Sequence, residues 1–422
     1  MHRNLAFIVS IALLSTSVAR GQSRFVLNDR DTDSMHRGVD GDGNSSLNDP
    51  GEINQWFSAA NLAGTIGPMN PTCLDISPNG IVAMGDQINR NVYRLIDFND
   101  DGDVQDAGES FVFADVTNLS LFSFAFPTGA AFDSLNRMHI VNAGNGFGND
   151  RVFRLLDLNG DGDAQDADEI TEYVGEPFFG PGNGSFSPQE IFFDENDVLY
   201  LRNSSTNLHG VWRFEDLDAN GRADDAGEAT IYFNSTNASG VVTSAGFGLE
   251  PDRVRPRSMY YLQTATGAVD QLYRLTDAND DGDAQDAGEA VMVWSTNEAG
   301  FTNIDVVCLY TGDVLITDNS TKRIILLHDA DNNDLFDNAT ERTNFFTAAT
   351  TTVVDIRQMS ILPVLGDINR DGVRDAADIP AFVDVLVDID SNPFHRIASD
   401  VNRDGATDGR DINIMTHLFT GP

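Results

Sequence analysis

The sequence is nearly without lysine and nearly without cysteine. Of its 26 basic residues only Lys322 is a lysine, and 66 acidic residues leave a formal net charge of −40 over 422 positions. Such a chain lacks the basic footprint that nucleic-acid binding needs. Anionic lipid would repel it as well. Two cysteines, Cys73 and Cys308, are too few for a disulfide framework and read as small buried hydrophobes. Beyond the N-terminus no apolar run is long enough to cross a membrane. The helical periodicity of a tetratricopeptide or ankyrin array is absent.

Hydrophobic residues make up 41% of the chain, enough for a packed core. Residues 1–19 have the pattern of a secretory signal peptide, with Arg3, an apolar run from Leu5 to Leu14, and small residues at Ser17, Val18 and Ala19. The expected location is therefore secreted or cell-surface, outside the cytoplasm. A repeat occupies most of the remainder. YRLIDFNDDGDVQDAGE from Tyr93 recurs as FRLLDLNGDGDAQDADE from Phe153 and as YRLTDANDDGDAQDAGE from Tyr273. WRFEDLDANGRADDAGE from Trp212 is close, and degenerate copies begin at Val39 and Leu326. The first acids of the six loops are Asp40, Asp97, Asp157, Asp216, Asp277 and Asp329.

A period of this size implies a solenoid, a propeller or an array. Two short apolar stretches precede each acidic loop, as in Cys73–Ile76 and Ile81–Met84. Each period then holds four strands, A to D, with the loop between C and D. The predicted fold class is all-β: a six-bladed β-propeller over residues 23–363. Phe25–Asp29 lies where strand B of a blade belongs, and Val353–Leu362 offers one more strand A. The ends therefore predict a three-plus-one closure, which removes two exposed sheet edges. This strand rhythm resembles the NHL and YWTD propellers.

The loops carry oxygen ligands at spacings suited to a hard cation. Counting Asp97 as position 1, Asn99, Asp101, Asp103, Asp106 and Glu109 fall at 3, 5, 7, 10 and 13, with Gly102 at 6 for the sharp turn. The second loop offers Asp157, Asn159, Asp161, Asp163, Asp166 and Glu169. The loop from Asp277 offers Asn279, Asp281, Asp283, Asp286 and Glu289. The loop from Asp216 offers Asp218, Asn220, Asp225 and Glu228. In the loops from Asp40 and Asp329, Ser45 and Asp334 replace the turn glycine. The pattern resembles EF-hand and thrombospondin-type calcium loops. It differs in placing the final acid at 13 and a strand after it, so the acid at 10, that at 13, or both could close the shell. No His or Cys accompanies the acids, which disfavours a transition metal.

From Gly366 the chain changes character. Asp367, Asn369, Asp371, Asp375 and Asp378 stand at positions 1, 3, 5, 9 and 12 of one loop, and Asp400, Asn402, Asp404, Asp408 and Asp411 at those of another. Val373 and Ala406 would add carbonyls. A short apolar-periodic helix follows each loop, and no helical pattern precedes either. This tandem unit, residues 366–422, resembles a type I dockerin domain. The resemblance implies a small α-helical, calcium-folded module that docks on a cohesin domain or a cell-surface scaffold, in a bacterium. The family's partner-selecting positions 10 and 11 are here Ala376 and Ala377, then Gly409 and Arg410, so the partner could differ, and the module could also pair within its own chain. Two Ca2+ ions are implied in this unit and up to six in the propeller loops.

Dockerin cargo is often polysaccharide-degrading, which makes polysaccharide a second candidate ligand. The residues add no catalytic motif: neither GxSxG nor HExxH occurs. A propeller site would sit at the channel mouth near strand A, where Asn70, Gln189, Glu190, Asp305 and Arg357 fall. Glu190 is the leading candidate base or ligand, with Asp305 beside it. Ordinary turn and strand duty is the commoner role for such residues.

Overall fold

The computed structural model describes residues 24–115, 126–143, 150–179, 186–205, 208–264, 269–296, 298, 302–348 and 353–420. The proposed signal peptide lies outside them. Among the described residues no helix is long and apolar enough to cross a membrane.

Six four-stranded antiparallel sheets follow one another along the chain. Blade 2 is typical, with A at Pro71–Ile76, B at Val82–Asp86, C at Asn91–Leu95 and D at Ser110–Ala114. Strand A begins blades 3 to 6 at Pro127–Phe132, Pro188–Phe193, Leu249–Pro251 and Asn303–Cys308. Blade 1 takes B, C and D from Arg24–Asp29, Ser34–Val39 and Ile53–Phe57. Its strand A is Ile356–Ile361, from the far end of the propeller segment. Phe25 pairs with Ile361 and Leu27 with Met359, so the three-plus-one closure is present. Each strand A touches the next around the ring, and blade 6 meets blade 1, so the six-bladed propeller closes.

The core lies between blades, because both faces of each twisted sheet are covered. One cluster joins Cys73, Ala83 and Phe113 of blade 2 to Ala130, Ile140 and Phe153 of blade 3. Cys73 and Cys308 are free and buried in strands A. The three tryptophans serve packing. Trp56 is buried between blades 1 and 2, Trp212 packs on Phe178 and Phe186, and Trp294 donates from Nε1 to Asn338 Oδ1 at 3.0 Å.

Four short helices occur among the described residues: α1 (Glu176–Phe179), α2 (Asp378–Leu386), α3 (Pro393–Ser399) and α4 (Asp411–Thr420). The last three enclose a core of Ile368, Phe382, Ala398, Val401 and Met415. Helix α3 corrects one expectation, since it runs directly into the loop at Asp400. It is too short to show a periodic pattern, but Asn392 caps it by accepting from the N–H groups of Phe394 and His395, and Pro393 opens it.

Candidate functional site

All eight acidic loops share one backbone frame. Position 4 is left-handed in each, from Gly43, Asp100, Gly160 and Ala219 through Asp280 and Asn332 to Arg370 and Arg403. Position 6 is left-handed in each as well, and Ser45 (φ 62°) and Asp334 (φ 67°) do take the turn that glycine makes elsewhere. The Asp at position 1 accepts from the N–H at position 6, as Asp97 does from Gly102 (3.1 Å), Asp40 from Ser45 (3.0 Å) and Asp367 from Gly372 (2.8 Å).

The acid at 13 faces back into every propeller loop. Glu109 accepts from the N–H of Phe98 (3.0 Å) and of Asp106 (3.3 Å), and Glu169 from Leu158 (2.8 Å) and Asp166 (2.9 Å). Glu228 and Glu289 repeat the pattern. Asp378, at position 12, accepts from Ile368 (2.7 Å) and Asp375 (2.8 Å) in the same way. The acid at 10 turns to the asparagine amide instead: Asn99 Nδ2 donates to Asp106 (2.9 Å) and Asn279 Nδ2 to Asp286 (2.8 Å). The carboxylates of Asp103, Asp163 and Asp283 cap the backbone N–H two residues on.

In three loops three carboxylates converge, with oxygens within 4.8 Å of one another: Asp40, Asp42 and Glu52; Asp216, Asp218 and Glu228; Asp329, Asp331 and Glu341. These are the loops with Asp rather than Asn at position 3, and two are the degenerate copies. Glu52 and Glu341 join the candidate ligands given above, and the glutamate at 13 that recurs in all six copies is the sequence signal that marks them. In the Asp97 loop, burial lifts the Asp97 carboxyl to about 6, and its Oδ1 is buried without a hydrogen-bond partner. Converging carboxylates and an unused buried acceptor fit a hard cation.

The loops also tie the blades together. Position 8 is apolar and buried, and its N–H donates to strand D of the preceding blade. Val104 bonds the Trp56 carbonyl (3.1 Å), Ala164 that of Phe113 (2.7 Å) and Ala223 that of Tyr173 (2.8 Å). Ala284, Phe336 and Leu47 complete the ring, Leu47 reaching Phe345 across the closure at 2.7 Å. In three loops the strand-C arginine of the preceding blade reaches position 6: Arg37 at Gly102, Arg154 at Gly221 and Arg274 at Asp334. A Cβ on Gly102 would lie 2.2 Å from Arg37 Nη1, so a side chain there would displace the guanidinium, while the φ of 100° is what requires glycine.

A second acidic group lies on the inner strands: Glu190 and Asp305, which are buried, with Asp75 and Glu250, which are partly buried. Burial raises each carboxyl, that of Asp75 to about 7, and the Asp305 charge raises Glu190 further. Gln358 Nε2 donates to Glu190. Asp305 accepts from the N–H of Met359 (2.8 Å) and Val306 (2.9 Å), and Asp75 from Phe132 (3.2 Å), so both hold backbone of an adjacent blade. Arg253 pairs with Glu250 at 3.0 Å. Glu190 and Asp305 are thus brought together. Asn70 instead bonds Gln87, Gln189 bonds Ser187, and Arg357 pairs with Asp355. Asp75, Glu250 and Arg253 carried no sequence signal beyond their place in or after strand A. Two clefts, of about 380 and 170 Å³, lie at the rim instead, the first beside Ile66 and Phe111 and the second beside Trp212.

No family model matches the chain, and no curated protein matches it. Among solved structures it is similar to a streptogramin B lyase, at 13% identity and a TM-score of 0.43 over 73% of this chain and 80% of that one. A PQQ-bound aldose sugar dehydrogenase from Streptomyces coelicolor gives 12% and 0.43, over 65% and 80%. A gluconolactonase from Xanthomonas campestris gives 14% and 0.37, over 61% and 72%. Overlaps this loose transfer no activity to this chain.

Proposed function

We propose that the protein is an exported, calcium-stabilised propeller whose dockerin-like C-terminal module, residues 366–422, attaches it to a cohesin-type domain or a cell-surface scaffold, and that its role is binding and assembly. The observation that carries this reading is the common frame of the eight loops, six of which also bridge adjacent blades. Calcium held by the Asp and Asn oxygens at positions 1, 3 and 5 and the acid at 13, or 12 in the module, would neutralise charge that otherwise repels itself. Loss of Arg3 with the leader and gain of eight Ca2+ would take the net charge from −40 to about −25. The test is calcium stoichiometry with melting in the presence and absence of chelator. About eight ions and a large loss of stability on chelation support the reading. About two ions with an unmoved propeller transition would confine calcium to the module.

A second reading, a carbohydrate-acting hydrolase or lactonase, is favoured by one observation, the buried Glu190 and Asp305 pair. It predicts product release from a polysaccharide or lactone that Glu190→Gln abolishes. Retention of polysaccharide without release would leave the binding role.

A further inference from the structure

The chain leaves the propeller on the face that carries the acidic loops. Strand A of blade 1 ends at Ile361 beside Phe25, the end at which the other blades turn from A to B. Antiparallel order puts the C–D loops on that same face. Only five residues separate Ile361 from Asp367, a reach of about 20 Å at most. The C-terminal segment meets three A–B turns there. Arg403 donates to the carbonyls of Asn79 (2.8 Å) and Asp97 (3.0 Å) of blade 2. Asn392 donates to Glu195 of blade 4 at 3.3 Å. Gly372 lies against Tyr310 of blade 6, where an added Cβ would be 3.1 Å from the ring.

Blades 2, 4 and 6 alternate around a six-fold ring, so a body touching the inner turns of all three lies across the axis. We propose that the C-terminal module docks on its own propeller and caps the channel at the acidic-loop face, with Arg403 as its main anchor. Arg403 stands at position 4 of the loop from Asp400, and the carbonyl it bonds belongs to position 1 of the loop from Asp97. The contact therefore joins a loop of each region directly. The docked face consists of the first halves of the module's loops and the start of α3. Ala376, Ala377, Gly409 and Arg410 remain exposed, as do Val383, Val387 and Ile412 on or just after the helices. The cap thus leaves the module's helical side open to an outside partner without undocking. This inference stands independently of what that partner is.

Hydrogen exchange on the full chain in millimolar calcium tests it, read at turns 77–81, 194–198 and 309–313. Arg403→Glu alters the module side and Tyr310→Arg the propeller side, so one variant survives if the other disturbs folding. The expected result is faster exchange, by about tenfold, at all three turns in each variant, with the blade strands unchanged. Small-angle scattering should show a compact wild type and an extended variant. A wild type that scatters as two bodies on a flexible tether would overturn the proposal. So would acceleration confined to the turn that lost its direct contact.

Discussion

The propeller loops and the C-terminal loops make the same backbone frame and differ at two places. In the propeller the closing acid is a glutamate at 13. In the C-terminal region it is an aspartate at 12. One extra residue and one extra methylene compensate, so the carboxylate reaches equivalent N–H groups in both. Position 8 is the second difference. It is buried and apolar in the propeller, but it is Arg374 or Thr407 in the other two loops, exposed or half-buried. Asp at 1 with left-handed turns at 4 and 6 therefore builds the loop, and its neighbours decide its duty. Asp378 and Asp411 open helices, where an acid suits the N-terminal dipole. Glu109 leads into a strand, and Val104 ties the loop to the blade before it.

Chelation should separate the two regions most strongly. The C-terminal core has five buried apolar side chains, too few to hold a fold alone, so under the calcium reading proposed above its folding depends on the ions. The propeller has six inter-blade clusters. Melting followed by circular dichroism should show the C-terminal helices lost outright in chelator, with the propeller transition lowered but still cooperative. One transition that moves as a unit would contradict the distinction.

The next contrast is at position 8. Val104→Asp buries a charge and removes apolar contact at the seam of blades 1 and 2, and should cost about 3 kcal/mol or more of propeller stability in denaturant unfolding. Arg374→Asp, at the same loop position on the surface, should cost about 0.5 kcal/mol or less. Equal effects would mean that position 8 does not tie the blades.

The sequence reveals the repeat, the closure and the loop frame, because period and turn chemistry are local. The ties between blades were harder to read. Leu47, Val104, Ala164, Ala223, Ala284 and Phe336 stand as apolar residues at one fixed place among acids, yet their partners lie in the preceding repeat. Helix α3 escaped because seven residues hold too few turns to show periodicity. The inner acids were half legible. Strand A predicted Glu190 and Asp305, but the convergence of Asp75 and Glu250 depends on how six sheets meet.

The response to acid sharpens the comparison further. His139 in blade 3 is fully buried between Tyr173 and Phe193, and burial holds its pKa down to about 3. Asp133, Arg137, Arg154 and Asp197 are the charged groups around it. An imidazole that stays neutral when folded gives stability that is full above the unfolded pKa of 6.5 and is lost as pH falls toward 3. Between pH 7 and pH 5 the site should cost the propeller about 2 kcal/mol. In His139→Phe that share of the slope should vanish, which denaturant midpoints at the two pH values would read. An unchanged slope would show that His139 titrates in the fold as it does in the unfolded chain. In the C-terminal region His395 is partly exposed and lies 2.7 Å from Asp390.

The smallest effect separates the propeller loops from one another. Ser45 holds a left-handed turn that glycine holds in four sister loops, and its side chain is exposed. Ser45→Gly should relieve that strain and raise stability by about 0.5 kcal/mol, partly offset by the greater freedom of glycine in the unfolded chain. Asp334 has the same conformation but pairs with Arg255 and lies 3.8 Å from Arg274. Asp334→Gly would relieve similar strain and lose both contacts, so it should gain nothing. If the two variants shift the denaturant midpoint equally, the arginines of blade 5 do not hold the loop of blade 6. The reach of a strand-C arginine into the next blade's loop would then be packing without electrostatic consequence.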